Sequence, residues 1–185
     1  MLLKKIAIIG PESTGKSTLC EQLAAHYHTL WCPEFAREYL LEHGMDYSYD
    51  DLLTIAKGQV TLEEKFIQLT IDNSQLATAE ADPLFIDTEM YVMKVWCEFV
   101  FDKCHQYILD QISERKYDLY FLCNVDLPWT PDELREYPDI ETRQKLYQIY
   151  KDIMTNQTVP WVEISGDDEK RFEIAVRAVD ALLKG

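Results

Sequence analysis

Cysteine is sparse and unpatterned. Cys20, Cys32, Cys97, Cys104 and Cys123 contain no C-x-x-C pair, which argues against a disulfide framework or a tetrahedral zinc site and for reduced thiols in apolar surroundings. Histidine is as thin, with His26, His28, His43 and His105 dispersed along the chain. Positive charge is in deficit: 18 Lys and Arg stand against 33 Asp and Glu, a formal charge of −15. The basic residues form no stripe, so the surface as a whole repels a nucleic-acid backbone. No stretch approaches the roughly 18 consecutive apolar residues of a membrane-spanning helix, and Met1-Leu2-Leu3-Lys4-Lys5 leads into an apolar segment without a cleavable leader pattern. These absences lead us to expect a cytoplasmic protein with neither nucleic-acid nor membrane partners. No repeat, low-complexity tract or linker interrupts the 185 residues, so a single domain over 1–185 is expected.

Against that background one stretch is dense with chemistry. Gly10-Pro11-Glu12-Ser13-Thr14-Gly15-Lys16-Ser17-Thr18 fits G-x-x-x-x-G-K-[ST] in full. An apolar run, Leu3 to Ile9, precedes it, and apolar residues at helical spacing, Leu19 through Leu23 to Tyr27, follow, which is the strand, loop and helix context the motif requires. Gly10 and Gly15 permit backbone geometry that turns successive N–H groups inward around a polyphosphate, and the helix adds its positive end. Lys16 then reaches the β- and γ-phosphates, and the Ser17 hydroxyl is placed to ligate Mg²⁺. ATP and Mg²⁺ are the cofactors expected.

Five apolar runs alternate with helical patterns, predicting an α/β fold of the phosphate-loop kinase type: a doubly wound, five-stranded parallel sheet in a three-layer sandwich. In such sheets ligands gather beyond the carboxyl ends of the strands. A second strand at Thr29 to Cys32 ends before Glu34 and Arg37, which are one helical turn apart and candidates to engage the substrate. A surface ion pair between them is the competing explanation. A long helix, capped by Asp50 or Asp51, is expected to run on through Leu76 to about Glu80. It carries Gln59 and Glu63, which can reach an acceptor site, although exposed helix surface is the commoner fate. Pro83 to Thr88 reads as a buried strand ending in Asp87, an acid placed to hold Mg²⁺ or orient an acceptor hydroxyl, unless it caps the next helix. Val92, Val95, Trp96, Phe99 and Val100 on that helix read mostly as core.

After a fourth strand, Asn124 through Trp129 to Arg135 departs from any regular period and suggests a lid of about 125–145 over the triphosphate. Arg135 and Arg143 are expected to enter the site on closure and stabilise the transferring phosphoryl group. Gly166 would lie beside an adenine with Arg171 near it, and both are also ordinary turn and helix-surface residues.

Taken together, the Gly10 to Thr18 loop, Glu34-Phe35-Ala36-Arg37-Glu38-Tyr39, Ile86-Asp87-Thr88 and Asn124 through Trp129 to Arg135 resemble the ribosylnicotinamide kinase domain of the NadR family over nearly the whole chain. The resemblance implies transfer of the ATP γ-phosphoryl group to the ribose 5′-hydroxyl of nicotinamide riboside, in NAD synthesis. Lys16, Ser17 and Mg²⁺ would hold the nucleotide, with Asp87 or Glu34 engaging the acceptor hydroxyl and Asn124 and Trp129 near the substrate. A cationic nicotinamide ring suits an acidic cleft with aromatic walls. The family tends to place a tryptophan before the glutamate, where this chain has Pro33, and Asp-Gly-Leu-Arg in the lid, where it has Glu133-Leu134-Arg135. A kinase for another nucleoside or cofactor precursor, and a regulatory ATPase, are the competing classes.

Overall fold

The computed structural model describes residues 3–74 and 82–184. The expected helix extension from Leu76 to Glu80 lies outside them. The strands are β1 (Lys4–Ile9), β2 (Trp31–Cys32), β3 (Pro83–Asp87), β4 (Leu119–Cys123) and β5 (Trp161–Ile164), all parallel in the order β2-β3-β1-β4-β5. The helices are α1 (Lys16–Tyr27), α2 (Phe35–His43), α3 (Tyr49–Ser74), α4 (Met90–Phe101), α5 (Gln106–Glu114), α6 (Ile140–Asn156) and α7 (Asp168–Lys184).

The central strands are apolar on both sides because both faces are covered. Ile6, Ile8, Phe85 and Phe121 pack under Leu19, Leu23, Ala175 and Val179 of α1 and α7. The alternate residues Ala7, Ile9, Ile86 and Leu122 pack against Val92 and Val95 of α4 and Leu146 and Tyr150 of α6. A third cluster joins α2, α3, α4 and α5 through Leu40, Leu52, Ile55, Met93 and Ile108. Because every strand runs the same way, the ends of β1, β3 and β4 open on one edge, where the site forms. On α3 the cap is Ser48 rather than Asp50 or Asp51. Ser48 Oγ accepts from the Asp51 amide at 3.3 Å, while the Asp51 carboxylate accepts from the Ser48 amide at 2.8 Å, a reciprocal box that a hydroxyl one residue before the helix makes possible. Among the described residues no helix is long and apolar enough to cross a membrane.

Candidate active site

The phosphate loop is built by backbone conformations that few residues tolerate. Gly10 has φ 139° and Gly15 φ 75°. A Cβ on Gly10 would sit 2.8 Å from the Cys123 carbonyl oxygen at the end of β4, so the loop can press against the sheet edge only with glycine there. Ser13 takes φ 55°. Thr14 is buried, and its hydroxyl donates to the Pro11 carbonyl at 2.7 Å. Lys16 Nζ donates to the same carbonyl at 3.0 Å, which holds the ammonium over the loop at the start of α1.

From the far side the loop is braced by Arg171, a buried guanidinium on α7 that donates to the carbonyls of Thr14 (3.0 Å), Gly166 (2.8 Å) and Asn124 (2.9 Å) and pairs with Asp126. Gly166 N in turn donates to Asp126 at 2.6 Å.

Asp87 ends β3 beside the loop. Its Oδ2 accepts from the Ser17 hydroxyl at 2.5 Å, while its Oδ1 is buried with no hydrogen-bond partner among the described residues. Burial, with the Glu34 carboxylate next, raises the Asp87 carboxyl to about 6. A hydroxyl and a carboxylate with an unused buried oxygen form a small all-oxygen donor set, which suits Mg²⁺ completed by phosphates and water. The capping duty that competed for Asp87 falls to Glu89, which accepts from the Tyr91 amide at 2.8 Å. Between the two acids Thr88 sits at φ 73°, a strained conformation for a β-branched residue. Its hydroxyl donates to Glu34 at 3.3 Å.

A cavity of about 240 Å³ opens from the loop. One end is polar, with Lys16, Ser17, Glu34, Arg37 and Arg135. The other is apolar, with Leu40, Val92, Val95, Trp96, Phe99, Tyr137 and Tyr150.

A family model described as an AAA domain matches residues 5–171. The chain belongs to this AAA-domain family. It is similar to the trifunctional NAD biosynthesis/regulator protein NadR of Escherichia coli strain K12, 26% identical over 98% of the chain, and to that of Salmonella typhimurium, 25% identical over the same share. It spans only 43% of the length of either relative. Among solved structures it matches a NadR protein in complex with NR (TM-score 0.77, 22% identity, all of this chain and 50% of that one). It also matches a thymidylate kinase from Ehrlichia chaffeensis (TM-score 0.66, 14% identity, 98% of this chain and all of that one). These structural likenesses carry the fold, which is the α/β phosphate-loop fold expected from the sequence.

In this AAA-domain chain the expected site residues divide. Glu34, Arg37, Lys16, Ser17 and Arg135 line the cavity, and Asp87 lies behind Ser17. Arg37 does not pair with Glu34; it makes a two-pronged pair with Asp132 of the 124–139 segment, at 3.1 and 3.2 Å. Gln59 and Glu63 are both buried rather than exposed. Gln59 accepts from the Phe35 amide at 2.7 Å and donates to the Pro33 carbonyl at 3.3 Å, so it shapes the turn carrying Glu34 instead of lining the cavity. Glu63 takes Lys5, Arg115 and the Tyr117 hydroxyl at 2.8–3.3 Å.

Asn124 is likewise occupied, its Oδ1 by the Val125 amide and its Nδ2 by Glu163. Arg171 is no surface residue, because four oxygens justify its burial. Only 124–139 is irregular; α6 starts at Ile140, capped by Asp139, and Arg143 therefore stands on its first turn. Arg143 is already seated: buried, donating to the Ser13 carbonyl at 3.1 Å, with Nε unpartnered among the described residues. The guanidinium groups of Arg143 and Arg135 lie 5.4 and 5.9 Å from the ring centre of Trp129. The residues missed by sequence reasoning are the α4 wall. Val92, Val95, Trp96 and Phe99 have the apolar helical spacing of core residues, and no local signal separates a face turned to a core from one turned to a cavity.

Proposed function

We propose that this chain is an ATP-dependent kinase that transfers the γ-phosphoryl group to the ribose 5′-hydroxyl of nicotinamide riboside, giving nicotinamide mononucleotide. The observation that carries the reading is the two-ended cavity. A phosphate cradle with an acid beside it shares one cavity, about 240 Å³ in all, with apolar and aromatic side chains that include Trp96, Phe99, Tyr137 and Tyr150. The likeness to a NadR protein in complex with NR, and to one in complex with NAD and AMP-PNP (TM-score 0.71, 19% identity), supports the choice of acceptor and donor. Pro33 does not deprive the pocket of aromatic walls, since position 33 faces a different groove and α4 and residue 137 supply the rings. A planar cation is favoured against such faces.

In this reading the loop amides and the α1 amino end take the phosphates, and Lys16 leaves the Pro11 carbonyl for the β- and γ-oxygens. Ser17 and Asp87 would hold Mg²⁺, which when bound would offset charge on the phosphates. Glu34 rather than Asp87 takes the acceptor proton, because it lines the cavity while Asp87 is engaged with Ser17. The 5′-oxygen attacks the γ-phosphorus as the bond to the β–γ bridging oxygen breaks, ADP leaves, and the hydroxyl proton goes to Glu34. Arg143, a buried cation with no ion-pair partner among the described residues, gains one in the developing phosphoryl charge.

The test is a coupled ATP-consumption assay with Mg²⁺, run against nicotinamide riboside, a panel of nucleosides and no acceptor, with product mass measured. We expect turnover with nicotinamide riboside and a product heavier by one phosphoryl group. Turnover with another nucleoside alone replaces the acceptor, and ATP hydrolysis indifferent to any acceptor moves the protein to the regulatory ATPases.

A further inference from the structure

Glu12 occupies one of the variable positions of the phosphate loop, and phosphate binding there asks nothing of its side chain. Its carboxylate is nevertheless fully engaged. Oε1 accepts from the amides of Glu136 (3.0 Å) and Tyr137, and Oε2 accepts from that of Glu136 (3.1 Å). Next to it Ser13 Oγ accepts from the Thr130 amide at 3.1 Å. The 124–139 segment is thus fastened to the phosphate loop across more than a hundred residues of sequence. A carboxylate is a costly group to place here. Burial disfavours its charge and the Glu136 carboxylate close by opposes it too, and although the charge-assisted bonds to two amides act the other way, the carboxyl stays raised above its usual value.

The fastening does not end at Glu136. The Glu136 side chain accepts from the Tyr47 hydroxyl at 2.8 Å, and that same hydroxyl accepts from Trp96 Nε1 at 2.9 Å. Trp96 is the cavity wall. Its indole also meets the Tyr47 ring edge-on, 5.0 Å between centres. An unbroken run of hydrogen bonds therefore joins the apolar end of the cavity, through Tyr47 and Glu136, to the loop that cradles phosphate. Arg135, one residue before the fastened amides, lines the cavity.

We propose that Glu12 is a positioning residue that seats the 124–139 lid on the phosphate loop, and that Tyr47 ties the seated lid to Trp96, so that the wall of the acceptor cavity and the phosphate cradle are held by one latch. The proposal rests on reading the cavity as a site of phosphoryl transfer, but not on which acceptor fills it. An acceptor pressing on Trp96 steadies Tyr47, hence Glu136, hence the amides that grip Glu12, and Arg135 is presented to the γ-phosphate when the cavity is filled.

The experiment is backbone amide hydrogen exchange on the full chain, resolved over residues 130–137, for the wild type, Glu12→Ala, Glu12→Gln, Tyr47→Phe and the Glu12→Ala/Tyr47→Phe pair. No substrate is added, so the result does not depend on the acceptor being nicotinamide riboside. Loss of the charged acceptor should speed exchange at 136 and 137 by about tenfold or more. Glu12→Gln, which keeps one carbonyl oxygen, should restore most of the protection, a rescue that a mere loss of packing would not require. Tyr47→Phe keeps the ring and removes only the hydroxyl, and it should loosen the same amides. The double variant should exchange no faster than the faster single one, because both act on one latch. Unchanged exchange in Glu12→Ala, or effects of the two changes that multiply as independent sites do, would overturn the proposal.

Discussion

Replacing Asp87 by Asn should stabilise the protein alone while disabling it. In the fold the Asp87 carboxyl is raised from 3.8 to about 6, chiefly by burial. Below pH 4 it is protonated in both the folded and the unfolded chain. Between pH 4 and 6 the unfolded chain releases this proton and the folded one keeps it, so stability falls as pH rises through that window and stays lower above it. A separation of about two units at about 1.4 kcal/mol each puts the cost of the ionised form near 3 kcal/mol as an upper figure. Asparagine removes the charge and retains an oxygen for the Ser17 hydroxyl. At pH 7.5, without nucleotide or Mg²⁺, we expect Asp87→Asn to be more stable by about 1–3 kcal/mol, roughly 2–12 °C in Tm for a chain of this size. At pH 4.5 the gain should shrink toward zero. ATP with Mg²⁺ should reverse the order, since the wild type alone has the carboxylate to hold the ion, and turnover of the variant should fall by about 10²-fold or more. Thermal unfolding at both pH values, with and without Mg²⁺ and ATP, reads all of this. Equal stability of the two proteins at pH 7.5, or a gain that ignores pH, would refute the reasoning.

Glu34→Gln should lower kcat by about 10²-fold and leave the ATP KM within a few fold, if it accepts the acceptor proton; steady-state kinetics over both substrates separates the two. Thr88→Gly should relieve the left-handed strain of about 1–2 kcal/mol yet lose the hydroxyl that orients Glu34, so Tm should hold while kcat drops. Gly10→Ala should abolish nucleotide binding in titration calorimetry, because its methyl meets a backbone oxygen that cannot move aside. Glu63→Ala should cost about 3–5 kcal/mol in denaturant unfolding, since it leaves Lys5 and Arg115 facing each other without their shared carboxylate.

What was legible in the sequence was whatever is encoded locally. The phosphate loop declares itself in nine consecutive residues, and Asp87 by its place at the end of an apolar run. The irregular 124–139 segment was legible as a break in period, and helical spacing resumes in the sequence at Ile140, inside the expected lid of 125–145. Asp139 caps α6 with a short hydrogen bond to the Thr142 amide, which takes Arg143 out of the loop and into a helix. Contacts made across long stretches of chain were invisible: Glu12 with the amides of 136 and 137, Arg37 with Asp132, and Tyr47 with Glu136 lie 89–125 residues apart. Gln59 illustrates the remaining difficulty. A polar residue on a long helix is usually solvated, and only the turn of chain at Pro33 to Phe35, packed against α3, gives it partners indoors.

The brace from Arg171 to the Thr14 carbonyl also sets an order of assembly. The loop at 10–18 is synthesised well before α7, which carries the side chain that holds it from behind. Until residue 171 has emerged, the Thr14, Asn124 and Gly166 carbonyls lack their common donor. Nucleotide is therefore expected to act as a stabilising ligand only on chains that already extend through α7.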